Sequence, residues 1–264
     1  MQSHDSSDPL QELSVITVVK DDPDGFSKTL QSLEEQTLPK FNWVVVDSSS
    51  DQTSIPALLS ESRLPVDYVW VEPAGIYPAM NHGVTLAIGK YIYFLNAGDT
   101  LVDSEILGTV ADSVSEVSPI WAFGGVNFWD QNGSQLQEPD WNYHSERQHR
   151  FVRGRFPSHQ GVIVRWDVFE NLGGFDTSYA IAADYHMICL LSQMQDPLQL
   201  DFAIANFTQG GASTVSWRLA QTEFRRGRKS VFPLNFASHM EELYFGAKDH
   251  LSHLVASRRS KSQE

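Results

Sequence analysis

The most constraining stretch of the sequence is a run of apolar and aromatic residues that stops at a short polar loop. Residues 91–95 show no polar alternation, which is typical of a strand buried on both faces of a sheet. The loop Asn96-Ala97-Gly98-Asp99 follows directly. Ligands of open α/β sheets bind where the strands end, so Asp99 is predicted to lie at a ligand site, with a helix cap as the alternative role.

Three upstream segments have the same apolar character, and each is followed by a polar turn and by apolar residues at helical spacing. They are residues 13–19, 41–47 and 66–72. This alternation predicts an α/β fold with a parallel sheet and right-handed crossovers. The carboxyl ends of four strands then meet at one edge, where Thr17, Asp47, Glu72 and Asp99 are expected near a common crevice.

Composition narrows the class of protein. The 264 residues, 41% of them hydrophobic, are enough for one large α/β domain with an extension. A net charge of -14 argues against nucleic acid as the main partner. The single cysteine, Cys189, excludes a disulfide framework and fits a reducing compartment. No apolar run approaches the roughly 20 residues that span a bilayer, so we expect a cytoplasmic protein.

Two common nucleotide-binding signatures are missing from the sequence. No GxGxxG follows the first predicted strand, and no GxxxxGK[ST] occurs anywhere in the chain. The sequence therefore gives little support for a dinucleotide-dependent oxidoreductase or a P-loop enzyme. A nucleotide bound at this sheet would have to be held by other groups.

Five sequence blocks in a fixed order carry a resemblance to a known family. They are SVITV at 14–18, VVVDSSSDQT at 44–53, GIYPAMNHG at 75–83, GKYIYFLNAGD at 89–99, and His159-Gln160 followed by GFD at 174–176 and ADY at 183–185. Together they resemble the family 2 glycosyltransferases with the GT-A fold, in particular bacterial enzymes of polysaccharide assembly. The resemblance covers roughly residues 13–213.

The resemblance implies an α/β, GT-A nucleotide-diphospho-sugar transferase fold with a mostly parallel, Rossmann-like central sheet flanked by helices. It also implies an inverting glycosyltransferase that moves a sugar from a nucleotide-diphosphate donor, expected to be UDP-linked, to a glycan or lipid-linked acceptor in surface polysaccharide assembly. One alternative is a nucleotidyltransferase that makes a nucleotide sugar, although the turn after the first strand is acidic rather than glycine-rich and basic. Another is a catalytically silent nucleotide-sugar-binding domain.

Donor-binding roles are implied for Thr17, Asp47, Asn81, Asn96 and Asp99. Asp47 would accept a hydrogen bond from a base imide such as that of uracil, or else hold the turn after its strand. Thr17 is equally consistent with packing. Asp99 would also bind Mg²⁺ or Mn²⁺, which neutralises charge on a leaving diphosphate. The family's metal motif usually has two acids, and this chain keeps only the last of them.

The resemblance places the catalytic base at Asp184, at the start of a predicted helix, where a capping aspartate is the alternative. A single carboxylate base without a covalent nucleophile implies inversion at the anomeric carbon. His159 and Gln160 are implied to bind the acceptor, with a histidine satisfied within the core as an equal alternative.

The resemblance also suggests how the chain is divided. Residues 1–12 are a polar lead-in that we expect to be disordered, and residues 13–217 form the catalytic domain, with a nucleotide-binding half at about 13–100 and an acceptor half at about 101–217. Residues 218–264 form a basic amphipathic helical extension that holds nine of the 19 basic residues. Such helices either rest on the inner face of a membrane as peripheral anchors or pack on their own domain.

Overall fold

One mixed sheet of eight strands organises the part of the chain that the structure describes. The computed structural model describes residues 12–38, 40–130, 132–136, 156–208, 217–232 and 240. The strands are β1 Leu13–Val19, β2 Asn42–Asp47, β3 Asp67–Trp70, β4 Tyr91–Phe94, β5 Thr100–Leu101, β6 Trp121–Trp129, β7 Val162–Arg165 and β8 Leu198–Thr208. The helices are α1 Pro23–Glu34, α2 Ser54–Glu61, α3 Ile76–Val84, α4 Ile106–Val117, α5 Trp166–Asn171, α6 Ala183–Met194 and α7 Trp217–Val231, with a 3₁₀ turn at His159–Gly161.

The strand order is β3-β2-β1-β4-β7-β6-β8-β5. The first four strands are parallel, as predicted, so their carboxyl ends lie at one edge. The remainder of the sheet is mixed: β7 runs antiparallel to β4 and β6, β6 and β8 are parallel, and β5 is antiparallel to β8. At the shared edge, backbone hydrogen bonds from Ser48 to Val19 and from Ala97 to Val18 hold the loops after β2 and β4 against β1.

Two hydrophobic cores cover the two faces of the parallel strands. Val44 and Val46 of β2 pack into the core beneath α3, α5 and α6, whereas Val45 packs into the core beneath α1, α2 and α4. This alternation follows from the period of two along a strand. Because both faces are covered, β1, β2 and β4 contain the continuous apolar runs that identify them in the sequence.

Three local features differ from the sequence-based expectation. Apolar residues at helical spacing predict a helix from Ile76 to Ile88, but the helix ends at Val84, and the N–H groups of Ile88 and Gly89 donate to Ser14 Oγ in β1, at 3.1 and 2.8 Å. The apolar run after Gln160 predicts a strand over 159–164, but residues 159–161 form the 3₁₀ turn and the strand begins at Val162. The sequence pattern does not predict α5.

The described part of the C-terminal extension packs on its own domain. The Phe224 ring of α7 lies edge-on to Tyr185 of α6, with ring centroids 4.9 Å apart. Among the residues the structure describes, no helix combines the length and the hydrophobicity needed to cross a bilayer. Residues 1–11, 233–239 and 241–264 lie outside the described residues, so the predicted lead-in, the domain limits and the membrane contact stay predictions.

The close approach of Gly89 to β1 gives a first testable prediction. A Cβ atom at Gly89 would lie 2.6 Å from the backbone of Leu13 and Ser14, whereas one at Gly108 in α4 would meet no atom within 4 Å. We expect Gly89→Ala to lower the free energy of unfolding by roughly 1–3 kcal/mol through overpacking. The matched Gly108→Ala should raise it by roughly 0.4–1 kcal/mol. Urea denaturation measures both, and equal midpoints would contradict the packing argument.

Candidate active site

Two adjoining clefts open at the edge where the parallel strands end. The smaller, of about 260 Å³, lies between the end of β1, the start of α3 and Asn96, and we call it the small cleft. The larger, of about 640 Å³, lies between the start of α1, Asp99 and the ends of β6 and β8, and we call it the large cleft. Asp22 and Ala97 line both clefts, so the loop after β4 forms the border between them.

The loop after β4 is held in place by α1. Thr29 Oγ1 donates to the backbone carbonyl of Asp99 at 2.7 Å and accepts from the N–H of Gly98 at 3.1 Å. Gly98 has φ +94°, a left-handed conformation that favours glycine. The turn therefore has a fixed geometry that directs Asn96 to the small cleft and Asp99 to the large one.

Asp99 and Asn96 are the residues of the loop after β4 whose side-chain oxygens could hold a divalent cation. Asp99 is 5% exposed, and burial raises the pKa of its carboxyl to about 7, against the opposing effect of the nearby His159. The Asn96 Oδ1 atom is buried and has no hydrogen-bond partner among the described residues. Within the described residues, no three His, Cys, Asp or Glu side chains cluster as a metal site. A cation bound here would therefore take most of its ligands from substrate and water.

Asp184 lies in the first turn of α6 and is held by two side chains from other elements. Its Oδ2 atom is 3.0 Å from Nδ1 of His159, and its Oδ1 atom accepts a hydrogen bond of 2.9 Å from the Tyr77 hydroxyl. Burial acts to raise the pKa of Asp184, but the hydrogen bond and the charge of His159 outweigh it, and the pKa is lowered. The carboxylate is therefore ionised and oriented from both sides.

His159 links this carboxylate to the small cleft. Burial acts to lower the pKa of His159, but the hydrogen bond and the charge of Asp184 prevail and raise it. The other ring nitrogen, Nε2, lies 3.3 Å from Nδ2 of Asn96. The chain Asn96–His159–Asp184–Tyr77 thus joins residues from the loop after β4, the 3₁₀ turn, α6 and α3.

Tyr77 is a member of this cluster that the sequence did not single out. Its hydroxyl also contacts the backbone carbonyl of Ile181, and burial together with Asp184 raises its pKa well above the usual value, so it stays protonated. Tyr77 stands in one of the five sequence blocks, but its neighbours there indicated only a helix. Its contact with Asp184 spans 107 positions of the chain, and no local pattern signals it.

The structure places Thr17 and Asp47 away from both clefts. Thr17 is fully buried and accepts a hydrogen bond of 3.1 Å from the indole nitrogen of Trp43. Asp47 is also fully buried, and its two oxygens accept from Ser49 N at 2.7 Å and from the Tyr68 hydroxyl at 3.0 Å. Both side chains make the packing and turn-holding contacts that were the alternatives to donor binding. Donor binding by Thr17 and Asp47 stays a prediction.

Asn81 and Gln160 are likewise engaged with their own chain. The Asn81 amide donates to the carbonyl of Phe175 at 2.8 Å and accepts from its N–H at 2.9 Å. Gln160 is 5% exposed, and its side-chain oxygen accepts from the Ser158 hydroxyl. Asn81 therefore joins α3 to the loop that precedes α6, and a contact of either residue with substrate stays a prediction.

The match of a known family covers more than half of the chain. Residues 14–172 match the family described as Glycosyl transferase family 2. This chain belongs to glycosyltransferase family 2. The nucleotidyltransferase alternative is thereby set aside.

Two curated relatives of this glycosyltransferase are named as glycosyltransferases, and a third is named for O-antigen biosynthesis. The chain is 26% identical over 208 residues to an uncharacterized glycosyltransferase of Mycobacterium tuberculosis, covering 76% of this chain and 77% of the relative. It is 29% identical over 193 residues to a PGL/p-HBAD biosynthesis glycosyltransferase of Mycobacterium bovis, covering 70% of this chain and 73% of the relative. It is 26% identical over 196 residues to the O-antigen biosynthesis protein RfbC of Myxococcus xanthus, covering 64% of this chain and 15% of that protein.

Solved structures confirm the predicted GT-A fold of this glycosyltransferase. S. aureus TarS 1-349 in complex with UDP-GlcNAc superposes with a TM-score of 0.65 at 18% identity, covering 89% of this chain and 71% of that one. A longer TarS structure is covered over 38% of its length. The mannosyltransferase PcManGT from Pyrobaculum calidifontis, in complex with GDP-Man and Mn²⁺, gives a TM-score of 0.59 at 16% identity. The match covers 96% of this chain and 81% of PcManGT.

The two hydrogen bonds of Asn81 make its role testable. We expect Asn81→Ala to lower the free energy of unfolding by roughly 1–3 kcal/mol, because the N–H and carbonyl of Phe175 lose their partner. Thermal denaturation with and without a nucleotide sugar measures stability and donor binding together. His82→Ala, at an exposed position of the same helix, is the control. Unchanged stability with weakened donor binding would restore Asn81 as a donor ligand.

Proposed function

We propose that this protein is an inverting glycosyltransferase that transfers a sugar from a UDP-linked donor to a glycan or lipid-linked acceptor in surface polysaccharide assembly. The observation that carries the proposal is the ionised carboxylate of Asp184. It is fixed by His159 and Tyr77 and connected through His159 to Asn96 at the small cleft. The names of the relatives from Mycobacterium bovis and Myxococcus xanthus support the acceptor class.

The donor binds in the small cleft in this proposal. The cleft lies at the carboxyl ends of the parallel strands, where open α/β sheets bind nucleotides, and it adjoins Asn96. The complexes of similarly folded proteins with UDP-GlcNAc and GDP-Man support a nucleotide-sugar donor. Asp47 would recognise a base imide only if it gave up its hydrogen bond to Ser49 or Tyr68.

Asp99 would hold a divalent cation, Mg²⁺ or Mn²⁺, at the border of the two clefts, and Asn96 Oδ1 on the other side of that border would be a second ligand. When bound, the cation neutralises negative charge on the diphosphate as it leaves. The raised pKa of Asp99 supports this assignment, because a buried carboxyl without a cation is unfavourable in its charged form.

Asp184 acts as the general base. The acceptor hydroxyl transfers its proton to Asp184 while its oxygen attacks the anomeric carbon on the face opposite the diphosphate. The bond from that carbon to the diphosphate oxygen breaks, and its electron pair leaves with the diphosphate. A single displacement of this kind inverts the anomeric configuration. His159 and Tyr77 keep Asp184 ionised and oriented, and His159 with Gln160 faces the acceptor.

The enzyme works at the cytoplasmic face of the membrane in this proposal, with the basic extension after Trp217 as a peripheral contact to anionic lipid. The basic residues of α7 on its exposed face, such as Arg225 and Lys229, support that contact. A lipid-linked acceptor would then be presented at the surface where the enzyme rests.

Thermal shift with a panel of nucleotide sugars tests the donor and the metal. We expect a UDP-sugar to stabilise the protein, by about 2.7 kcal/mol at 100 times its Kd, and to do so more strongly with Mn²⁺. Asp99→Asn should remove the Mn²⁺-dependent part, since it removes the charge that binds the cation. Asp112→Asn, at an exposed position of α4, controls for the loss of one charge. Absence of stabilisation by every nucleoside diphosphate sugar would end the donor proposal.

Substitution of Asp184 tests the base. Asp184→Asn should leave the donor-induced thermal shift in place but lower turnover by about 10²–10⁴-fold, because the acceptor hydroxyl loses its proton acceptor. Turnover is measured as release of the nucleoside diphosphate, and Asp112→Asn again serves as the control. Retained turnover would exclude Asp184 as the base, and a protein without turnover in its unaltered form would point to the silent binding domain.

A further inference from the structure

α7 carries one acidic residue, Glu223, and that residue lies on the buried side of the helix. Ala220, Glu223 and Gly227 are spaced at helical intervals and are all buried, whereas most of the basic residues of α7 are exposed. Glu223 is 6% exposed. A buried carboxylate is unfavourable unless it is hydrogen-bonded or paired, so its partners explain why it is there.

The partners of Glu223 are three consecutive backbone N–H groups. Its Oε1 atom accepts from Ala180 at 2.9 Å, and its Oε2 atom accepts from Ile181 at 2.8 Å and Ala182 at 3.0 Å. Hydrogen bonds to an ionised acceptor are about twice as strong as neutral ones. This side chain therefore fixes the backbone of residues 180–182, which we call the approach segment.

The approach segment leads directly to the proposed base. Asp184 follows it by two residues, at the beginning of α6. The Ile181 peptide is held from both ends, because its N–H donates to Glu223 while its carbonyl contacts the hydroxyl of Tyr77. The same hydroxyl contacts Asp184, so a shift of the approach segment would disturb Asp184 and Tyr77 together.

α7 is itself held by two contacts of residues that follow Glu223. The Phe224 ring packs edge-on to Phe156 and Tyr185, with centroid distances of 5.3 and 4.9 Å. The Arg226 guanidinium lies 3.7 Å from the centre of the Tyr179 ring, just before the approach segment. The carboxylate is thus presented by a helix that packing holds in position.

We propose that Glu223 is a positioning residue for sugar transfer, which sets the geometry of Asp184 by binding the approach segment. The proposal rests on the proposed role of Asp184 as the base. A misplacement of about 1 Å of a reacting group can lower a rate by roughly 10²-fold, so the effect should fall on turnover rather than on donor binding.

Glu223→Gln is the first test, because it keeps the shape of the side chain but directs an amide N–H₂ at groups that need an acceptor. With UDP-GlcNAc and the other nucleotide sugars of the screen, we expect kcat for donor hydrolysis or transfer to fall by roughly 10–10²-fold while KM for the donor stays within about threefold. Glu223→Asp, which keeps the charge, should recover part of the loss. Gln221→Ala, at an exposed position of α7, should change neither constant.

Hydrogen exchange and a double mutant separate positioning from a general loss of stability. In Glu223→Gln the amides of the approach segment should exchange faster, while those of β1 and β2 stay protected. In an Asp184→Asn background, Glu223→Gln should lower kcat far less than it does alone, because both act on one group. Equal losses in the two backgrounds, or faster exchange with unchanged kcat, would overturn the inference and leave the proposed function intact. Absence of turnover in the unaltered protein would instead contradict the proposed function. The inference about Glu223 would then fail as well, because Asp184 would not act as a base.

Discussion

The contact between Nδ1 of His159 and Oδ2 of Asp184, at 3.0 Å, is the interaction on which the site depends. It joins the turn before β7 to the start of α6 and, through Asn96 and Tyr77, to the loop after β4 and to α3. The two side chains are only 22% and 15% exposed, so removing either one leaves a poorly solvated group without its partner, and the contact holds these elements in one arrangement. The same contact lowers the pKa of Asp184 and so keeps its carboxylate ionised. His159 therefore both holds the arrangement together and sets the charge of the carboxylate.

The central part of the fold follows from the sequence because burial on two faces leaves a clear pattern. The strands β1, β2 and β4 are continuous apolar runs, and the alternating helices require parallel connections. The residues at which helices end do not follow from the sequence pattern. α3 stops at Val84 because Ser14, a residue distant in sequence, takes the N–H groups of Ile88 and Gly89. A hydrogen bond between elements that are not adjacent in the chain cannot be read from helical periodicity.

The direction of the side chains that were predicted to bind the donor does not follow from the sequence, and their donor contacts stay predictions. Thr17 and Asp47 do lie in strands that end at the shared edge, yet along their strands they alternate with Ile16 and Val46, which pack beneath α3. Their side chains therefore face the opposite layer, whereas the small cleft opens beside α3. The sequence indicates where a strand ends, but the layer that covers each face is decided by the chain connections.

In the C-terminal helix α7, the position of one acidic residue indicates more than the pattern of basic residues does. The exposed basic residues of α7, which are Arg218, Arg225, Arg226 and Lys229, are equally consistent with a lipid surface or with a solvated face, whereas Arg228 is buried. Glu223 is different: in the apolar stripe of the helix it would be costly against lipid or core, and it is stable only where several donors converge. The convergence of three N–H groups just before Asp184 supplies that place.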